Sequence, residues 1–219
     1  MKAWSFSSMN MFYTCPRQYE LTKVKNLIPY TETEATIWGS EVHTALENYM
    51  LGEPISDKYL QFKPYADKII ALPGDKFYER KFALTKNLTP TNFGADDAWV
   101  RGIIDVGVVN GDRAIALDWK TGKVRPDSDQ LKLFAAFIFE HYPDVETVST
   151  RYVWLKFNEV TKETYARSDL PGIWSHFMAK ALRLEQAYAN NKWVPKPSGL
   201  CAGWCGAGRS NCEHWSPRR

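Results

Sequence analysis

The chain has 219 residues, 28 Lys and Arg against 25 Asp and Glu, a net charge of +3, and 14% aromatic residues. That length fits one domain with small additions around a full hydrophobic core, and neither an internal repeat nor a low-complexity segment interrupts it. No run of about 18 apolar residues and no signal-peptide pattern occurs, which argues against a membrane partner and for a cytoplasmic location; the weak net charge points to nucleic acid only faintly.

Residues 4–24, WSFSSMNMFYTCPRQYELTKV, read as a helical stretch with Ser7 or Ser8 as N-cap, Phe12 and Tyr19 as apolar anchors, and Pro16 as an interruption. Residues 34–51 show helical periodicity through Ile37, Val42, Ala45, Leu46 and Tyr49, and carry His43 with Glu47 one turn on, both able to project from one face. A second helix is expected over 57–72, capped by Asp57 and ended by Pro73-Gly74. Residues 76–84 alternate as a strand in which Glu79 is ambiguous between a solvent-facing charge and a site residue, and 87–97 form a polar, turn-rich loop.

Residues 98–109 and 113–120 are rich in β-branched side chains and flank Asn110-Gly111, a dipeptide suited to a type I′ hairpin turn. With those two as the loop, Asp105 lies opposite Ala116 and Ile104 opposite Leu117. Ile104, Val106, Val108, Ile115 and Leu117 then share the core face, while Asp105, Asp118 and Lys120 share the other. Asp105 and Asp118 become diagonal neighbours, roughly 7–8 Å apart at Cα. Two carboxylates beside an ammonium suit Mg²⁺, which takes one or two carboxylates plus substrate phosphate. Lys120 would orient an attacking water or neutralise phosphate charge. The plainer alternative is a pair of strand-end carboxylates, one of them paired with Lys120.

An amphipathic helix follows from Asp127 or Ser128 to about Tyr142, with Gln130 near a helix N-terminus able to hold phosphate. Residues 147–157 form a strand, 160–167 an outer hairpin partner, and Pro171 opens a helix to about 190. The expected fold class is α/β: a central mixed sheet from 76–84, 98–109, 113–120 and 147–157, flanked by helices at 34–51, 127–142 and 171–190. The tail, 193–219, is rich in Pro, Gly and Cys. Cys201, Cys205 and Cys212 cluster there, and Cys15 is the only other cysteine. Four cysteines of this kind in a cytosolic chain point to a metal centre, equally a [4Fe–4S] cluster or structural Zn²⁺, with His214 as a stray donor should Cys15 lie elsewhere. Lys192, Lys196, Arg209, Arg218 and Arg219 make this end basic.

Gly102-x-x-Asp105, Asp118-Trp119-Lys120-Thr121-Gly122 and Gln130 resemble the PD-(D/E)XK nuclease superfamily in its RecB-like branch, with a restriction-endonuclease-like core. Gly39-Ser40-x-x-His43 is similar to that branch's histidine helix, and Cys15-Pro16-Arg17-Gln18-Tyr19 to the N-terminal signature of its AddB-like iron–sulfur members. The resemblance implies a nuclease domain over 1–192, with 1–33 bringing Cys15 to a cluster completed by Cys201, Cys205 and Cys212. It implies Mg²⁺ or Mn²⁺ on His43, Asp105, Asp118 and the Trp119 carbonyl, with Lys120 acting on water and Gln130 on the scissile phosphate. The branch usually carries tyrosine four residues after this glutamine, where this chain has Phe134. The implied activity is exonuclease action on single- or double-stranded DNA ends, in recombination, repair, phage or CRISPR processing, with a recombinase, helicase or CRISPR protein as partner. The alternatives are a structure-specific endonuclease and a non-catalytic DNA-end-binding module. No phosphate-loop motif is present, so helicase activity would require another chain.

Overall fold

β-Branched and aromatic residues crowd five runs between Asp75 and Ala166, and in the computed structural model, which describes residues 1–29, 31–124 and 128–217, these runs pair into one sheet. The strands are β1 (Asp75–Leu84), β2 (Val100–Asn110), β3 (Arg113–Lys120), β4 (Thr147–Trp154) and β5 (Glu159–Ala166), in that spatial order. The helices are α1 (Phe6–Thr14), α2 (Pro16–Tyr19), α3 (Glu34–Met50), α4 (Lys63–Ile70), α5 (Asp129–His141) and α6 (Leu170–Ala189). Neighbouring strands are antiparallel except β3 and β4, which are parallel and joined through α5. The expected mixed α/β sheet is therefore present, with the outer hairpin partner as its fifth strand.

The chain divides into two compact units, residues 32–174 and residues 1–31 with 175–219. In the first unit, Val42, Leu46 and Met50 of α3 and Ala66 and Ile69 of α4 pack on one sheet face against Val106, Val108, Leu117, Trp119 and Val153. On the other face, α5 brings Phe137 against Phe82, ring centroids 5.9 Å apart. In the second unit, Trp4 packs on Phe177 and Phe12 on Tyr19, and Tyr19 stacks on Trp193. Buried Glu20 is neutralised there by Arg17 and Lys25, each 2.9 Å away.

Local chemistry corrects several expectations. Ser5, not Ser7 or Ser8, caps α1: its N–H donates to Ser8 Oγ and its Oγ accepts from the Ser8 N–H. Asp57 caps nothing; it opens a 3₁₀ turn over Asp57–Phe62, and α4 begins afresh at Lys63 with Pro64 in its first turn. Ser128 stands at the N-cap of α5 without a side-chain bond, while Asp127, Arg218 and Arg219 lie outside the described residues.

The hairpin register differs by two residues from the expected one. Asn110 pairs with Arg113, so the loop is Gly111-Asp112, and Gly111 alone in it takes a positive φ, 59°. One glycine at the first loop position is the demand of a type II′ turn, which leaves Asn110 free to extend the strand. A shift of two preserves side-chain parity, which is why Val106, Val108, Ile115 and Leu117 still meet the α3 and α4 core.

Parity does break further along. Gly107 turns toward Phe77 and Gly102 toward Phe137, although strict alternation would place them on opposite faces. The slip occurs at Asp105 in β2 and at its neighbour Glu79 in β1, whose φ of 43° is left-handed. Ile104, expected to share the core face with Val106, lies beyond the slip, buried but outside that cluster. Pairing resumes in register on either side, Tyr78 with Val106 and Arg80 with Ile104, so the ladder holds a strained non-glycine residue in place.

Gly102 also has a packing role: a Cβ there would stand 2.4 Å from Phe137 Cε2. Gly102→Ala should lower stability by about 1–3 kcal/mol through overpacking, read as a reduced urea midpoint that Phe137→Leu partly restores. An unchanged midpoint would remove steric demand as the reason for this glycine.

Candidate metal centre

Thr33 and Thr36 form a capping box that starts α3, and Val42 and Leu46 fix the helix on the core. Gly39 lets the helix run close to the chain after β3, since a Cβ there would lie 3.3 Å from Thr121 Oγ1. His43 is thereby held against the open end of the β2–β3 ladder. Its Nε2–H donates to the Trp119 carbonyl at 2.7 Å, and its Nδ1 lies 3.2 Å from Asp105 Oδ2 and 3.7 Å from Glu79 Oε1.

The ladder's last pair is Val106 with Leu117, one residue short of Asp105 and Asp118. Beyond it the Trp119 N–H donates to Asp105 Oδ2 at 2.8 Å, a charge-assisted bond in place of a backbone partner. The ligand atoms of His43, Glu79 and Asp105 all lie within 4.8 Å of one another. The slip at Glu79 is what turns its carboxylate to this group.

Asp118 joins a second group. Its Oδ1 accepts from Gln130 Nε2 at 3.0 Å, and its Oδ2 lies 2.6 Å from Lys120 Nζ. Lys120 Nζ also donates to Gln130 Oε1 at 3.0 Å and sits 4.9 Å from the centre of the Tyr152 ring. The Tyr152 hydroxyl donates to the same Gln130 oxygen at 3.3 Å. Asp105 and Asp118 thus do not converge as one simple face pair. They stand in two groups joined through the Trp119 backbone, and Asp105 feels the charge of Asp118.

Burial works against a charged His43 ring, yet Glu79, Asp105, Asp118 and the Trp119 carbonyl overcome it and push its pKa up to about 9. Burial, the Asp118 charge and the Glu79 charge hold the Asp105 carboxyl well above the usual carboxylate range, against the opposing pull of His43. Hard oxygen donors with one imidazole, crowded and short of positive charge, fit a divalent ion such as Mg²⁺ or Mn²⁺. Such an ion needs His43 neutral. At neutral pH its binding should therefore release a proton, and affinity should rise with pH until His43 titrates near 9. Calorimetry in buffers of different ionisation enthalpy measures this, and proton-neutral binding at pH 7 would contradict it.

Of the residues singled out in the sequence, His43, Asp105 and the Trp119 carbonyl come together in one group and Asp118, Lys120 and Gln130 in the other. Gln130 spends its amide on Asp118 and Lys120, and Phe134 is buried in the core. Glu47 stays outside the first group, although its carboxyl is raised by burial and by Glu79. Tyr152 carried no sequence signal; parallel pairing sets it beside Asp118.

In the other unit, Cys15, Cys201, Cys205 and Cys212 are free thiols lining one pocket, with His214 at its wall. The Lys196 N–H donates to Cys15 Sγ and the Ser198 N–H to Cys201 Sγ, at 3.4 and 3.5 Å. Burial and the other three sulfurs push the Cys205 thiol up.

Residues 3–72 match the model of the PD-(D/E)XK nuclease superfamily, a stretch that includes Cys15 and His43. Among solved structures, the one described as "Crystal structure of SSO0001" is similar at 14% identity and a TM-score of 0.51, covering 94% of this chain and 84% of its own. A "Putative exonuclease" from Eubacterium rectale is similar at 13% identity and 0.53, covering 91% and 86%. No curated protein matches the chain. The matched stretch ends before the first strand, and the five-strand mixed sheet flanked by helices that follows it is consistent with a PD-(D/E)XK nuclease core.

Proposed function

We propose that the chain is a divalent-metal-dependent deoxyribonuclease that degrades DNA from its ends. The observation that carries this reading is the adjoining of two groups through Trp119: a cation-fitting His43–Glu79–Asp105 set, and Lys120 held by Asp118, Gln130 and Tyr152. Mg²⁺ or Mn²⁺, held by His43, Asp105, Asp118 and the Trp119 carbonyl with Glu79 in reach, would supply Lewis-acid charge to the scissile phosphate and acidify water.

The chain's own residues do the rest. Lys120 presents its ammonium to the attacking water or the phosphate oxygens. Gln130 fixes that ammonium by accepting from it while donating to Asp118, and Tyr152 supports both from below. Asp105 holds Trp119 by its N–H, and His43 holds it by its carbonyl, so the two residues fix the Trp119 backbone from either side.

The cysteine pocket is read as the seat of a [4Fe–4S] cluster that ties residue 15 to the tail. Four thiols lining one pocket match the ligand count of such a cluster as well as that of structural zinc, and the likeness of Cys15-Pro16-Arg17-Gln18-Tyr19 to the signature of iron–sulfur nucleases favours the cluster. Iron and sulfide in an anaerobic, brown preparation are expected; colourless protein with stoichiometric zinc would replace this reading.

The test of function is end-labelled linear DNA beside closed circular DNA, with Mg²⁺ or Mn²⁺. Loss of the linear form alone is expected, and the label released first gives the polarity. Nicking of the circle would make the enzyme an endonuclease. Binding without cleavage of either substrate would leave a DNA-end-binding module.

A further inference from the structure

Next to the metal group, the same two strands carry a strip that the chemistry above does not use. From Glu79 and Asp105 the ladder continues to the pairs Lys81–Ile103 and Ala83–Arg101. Phe82 and Gly102 turn to the α5 face, so Lys81, Ile103 and Arg101 turn to the face of His43 and Glu79. Each two-residue step along the strip advances roughly 6.6 Å.

The loop between β1 and β2 folds over this strip. Its Thr91 N–H donates to the Ala83 carbonyl at 3.0 Å, and Leu84 bridges to Pro90, so the loop pairs with the sheet edge. The loop places the partly exposed ring of Phe93 with Lys81 Nζ 5.7 Å and the Arg101 guanidinium 5.5 Å from its centre. Arg101 Nη2 donates to the Ala95 carbonyl at 3.0 Å, which fixes it beneath the loop. Among the described residues no carboxylate pairs with Lys81 or Arg101; the loop's Asp97 accepts instead from the Thr91 hydroxyl. Ile103, between the two cations, is 39% exposed.

A held aromatic ring, two cations without counter-ions and an exposed aliphatic side chain, in line with a phosphate-hydrolysing centre, have the makings of a single-strand platform. We infer that Phe93, Lys81 and Arg101 form a subsite for the single-stranded nucleotides flanking the scissile phosphate. Phe93 stacks on a base, and Lys81 and Arg101 take the neighbouring phosphates. The inference rests on the nuclease reading and adds to it a preference for a strand that is unpaired at the site.

The test is fluorescence anisotropy of a labelled oligothymidylate with the whole protein in Ca²⁺, over a range of salt, with a gel confirming that the probe stays intact. Phe93→Ala should weaken binding about 5- to 100-fold, the scale of one lost stacking contact, without changing the salt slope, while Phe93→Trp stays within about twofold of wild type. Lys81→Gln and Arg101→Gln should each flatten the slope by about 0.7, the share of one phosphate on a single strand. Lys81 is exposed, so that variant tests the idea without risk to the fold. Wild-type affinity in Phe93→Ala, or unchanged slopes in both charge variants, would overturn the subsite while leaving a cleaving wild type intact. A wild type that neither binds nor cleaves would overturn the nuclease reading and the subsite with it.

Discussion

Asp105→Asn is expected to reduce DNA cleavage on the order of 10³-fold or more and, in the absence of metal, to raise the melting temperature. Both effects follow from one geometry. Asp105 is buried beside the half-buried His43 and Glu79 and feels the charge of Asp118, so its carboxyl is held above the ordinary carboxylate range. A carboxyl pKa raised by folding means stability is lost as pH rises through and above that range. Asparagine keeps an acceptor for the Trp119 N–H, removes the charge, and relieves Asp118 and Glu79. It also removes a hard anionic donor that a divalent ion needs. The check is cleavage of end-labelled DNA beside thermal unfolding in EDTA near neutral pH. Lost activity with a lowered melting temperature would make Asp105 a structural residue rather than a strained ligand.

That trade explains which parts of the site were legible in the sequence. The hairpin was readable because β-branched runs around Asn110-Gly111 demand a tight turn, and an error of two in register keeps Val106, Val108, Ile115 and Leu117 on their expected face; only beyond the slip at Asp105 does Ile104 leave it. Glu79 was legible only as ambiguous between a solvent-facing charge and a site residue. A left-handed φ at a glutamate leaves no mark in composition, and strict alternation assigns the wrong neighbours to Asp105. His43 on a helix has no chemistry of its own; only Gly39-Ser40-x-x-His43 as a resemblance raised it above a structural histidine.

Tyr152 shows a second limit. Its place beside Asp118 depends on β4 returning parallel to β3 after α5, a long-range pairing that local pattern does not specify. The branch's tyrosine would follow Gln130 by four residues, and that position is the buried Phe134; yet a hydroxyl still reaches Gln130 from the neighbouring strand. The cysteines divide likewise: the cluster of three in the tail was plain from spacing, whereas Cys15 joined it only through the resemblance of Cys15-Pro16-Arg17-Gln18-Tyr19, and all four line one pocket.

Lys120→Ala should slow cleavage by roughly 10²- to 10⁴-fold, the range for a lost proton-handling or charge-stabilising group, with single-stranded DNA affinity in Ca²⁺ changed much less. Lys120 Nζ lies 2.6 Å from Asp118 Oδ2, and three contacts hold it: Asp118, Gln130 and the Tyr152 ring. Alanine leaves Asp118 buried without that partner, so some stability is lost as well. The two losses are separable, because a rate measured in single turnover at saturating metal, on protein shown folded by its urea transition, counts only the chemistry. Tyr152→Phe keeps the ring beneath Nζ and removes only the hydroxyl bond to Gln130; its cost should stay below about tenfold, the scale of one neutral hydrogen bond. A Lys120→Ala rate within tenfold of wild type would reduce Lys120 to a counter-ion for Asp118 and return the ordering of water and phosphate to the metal alone.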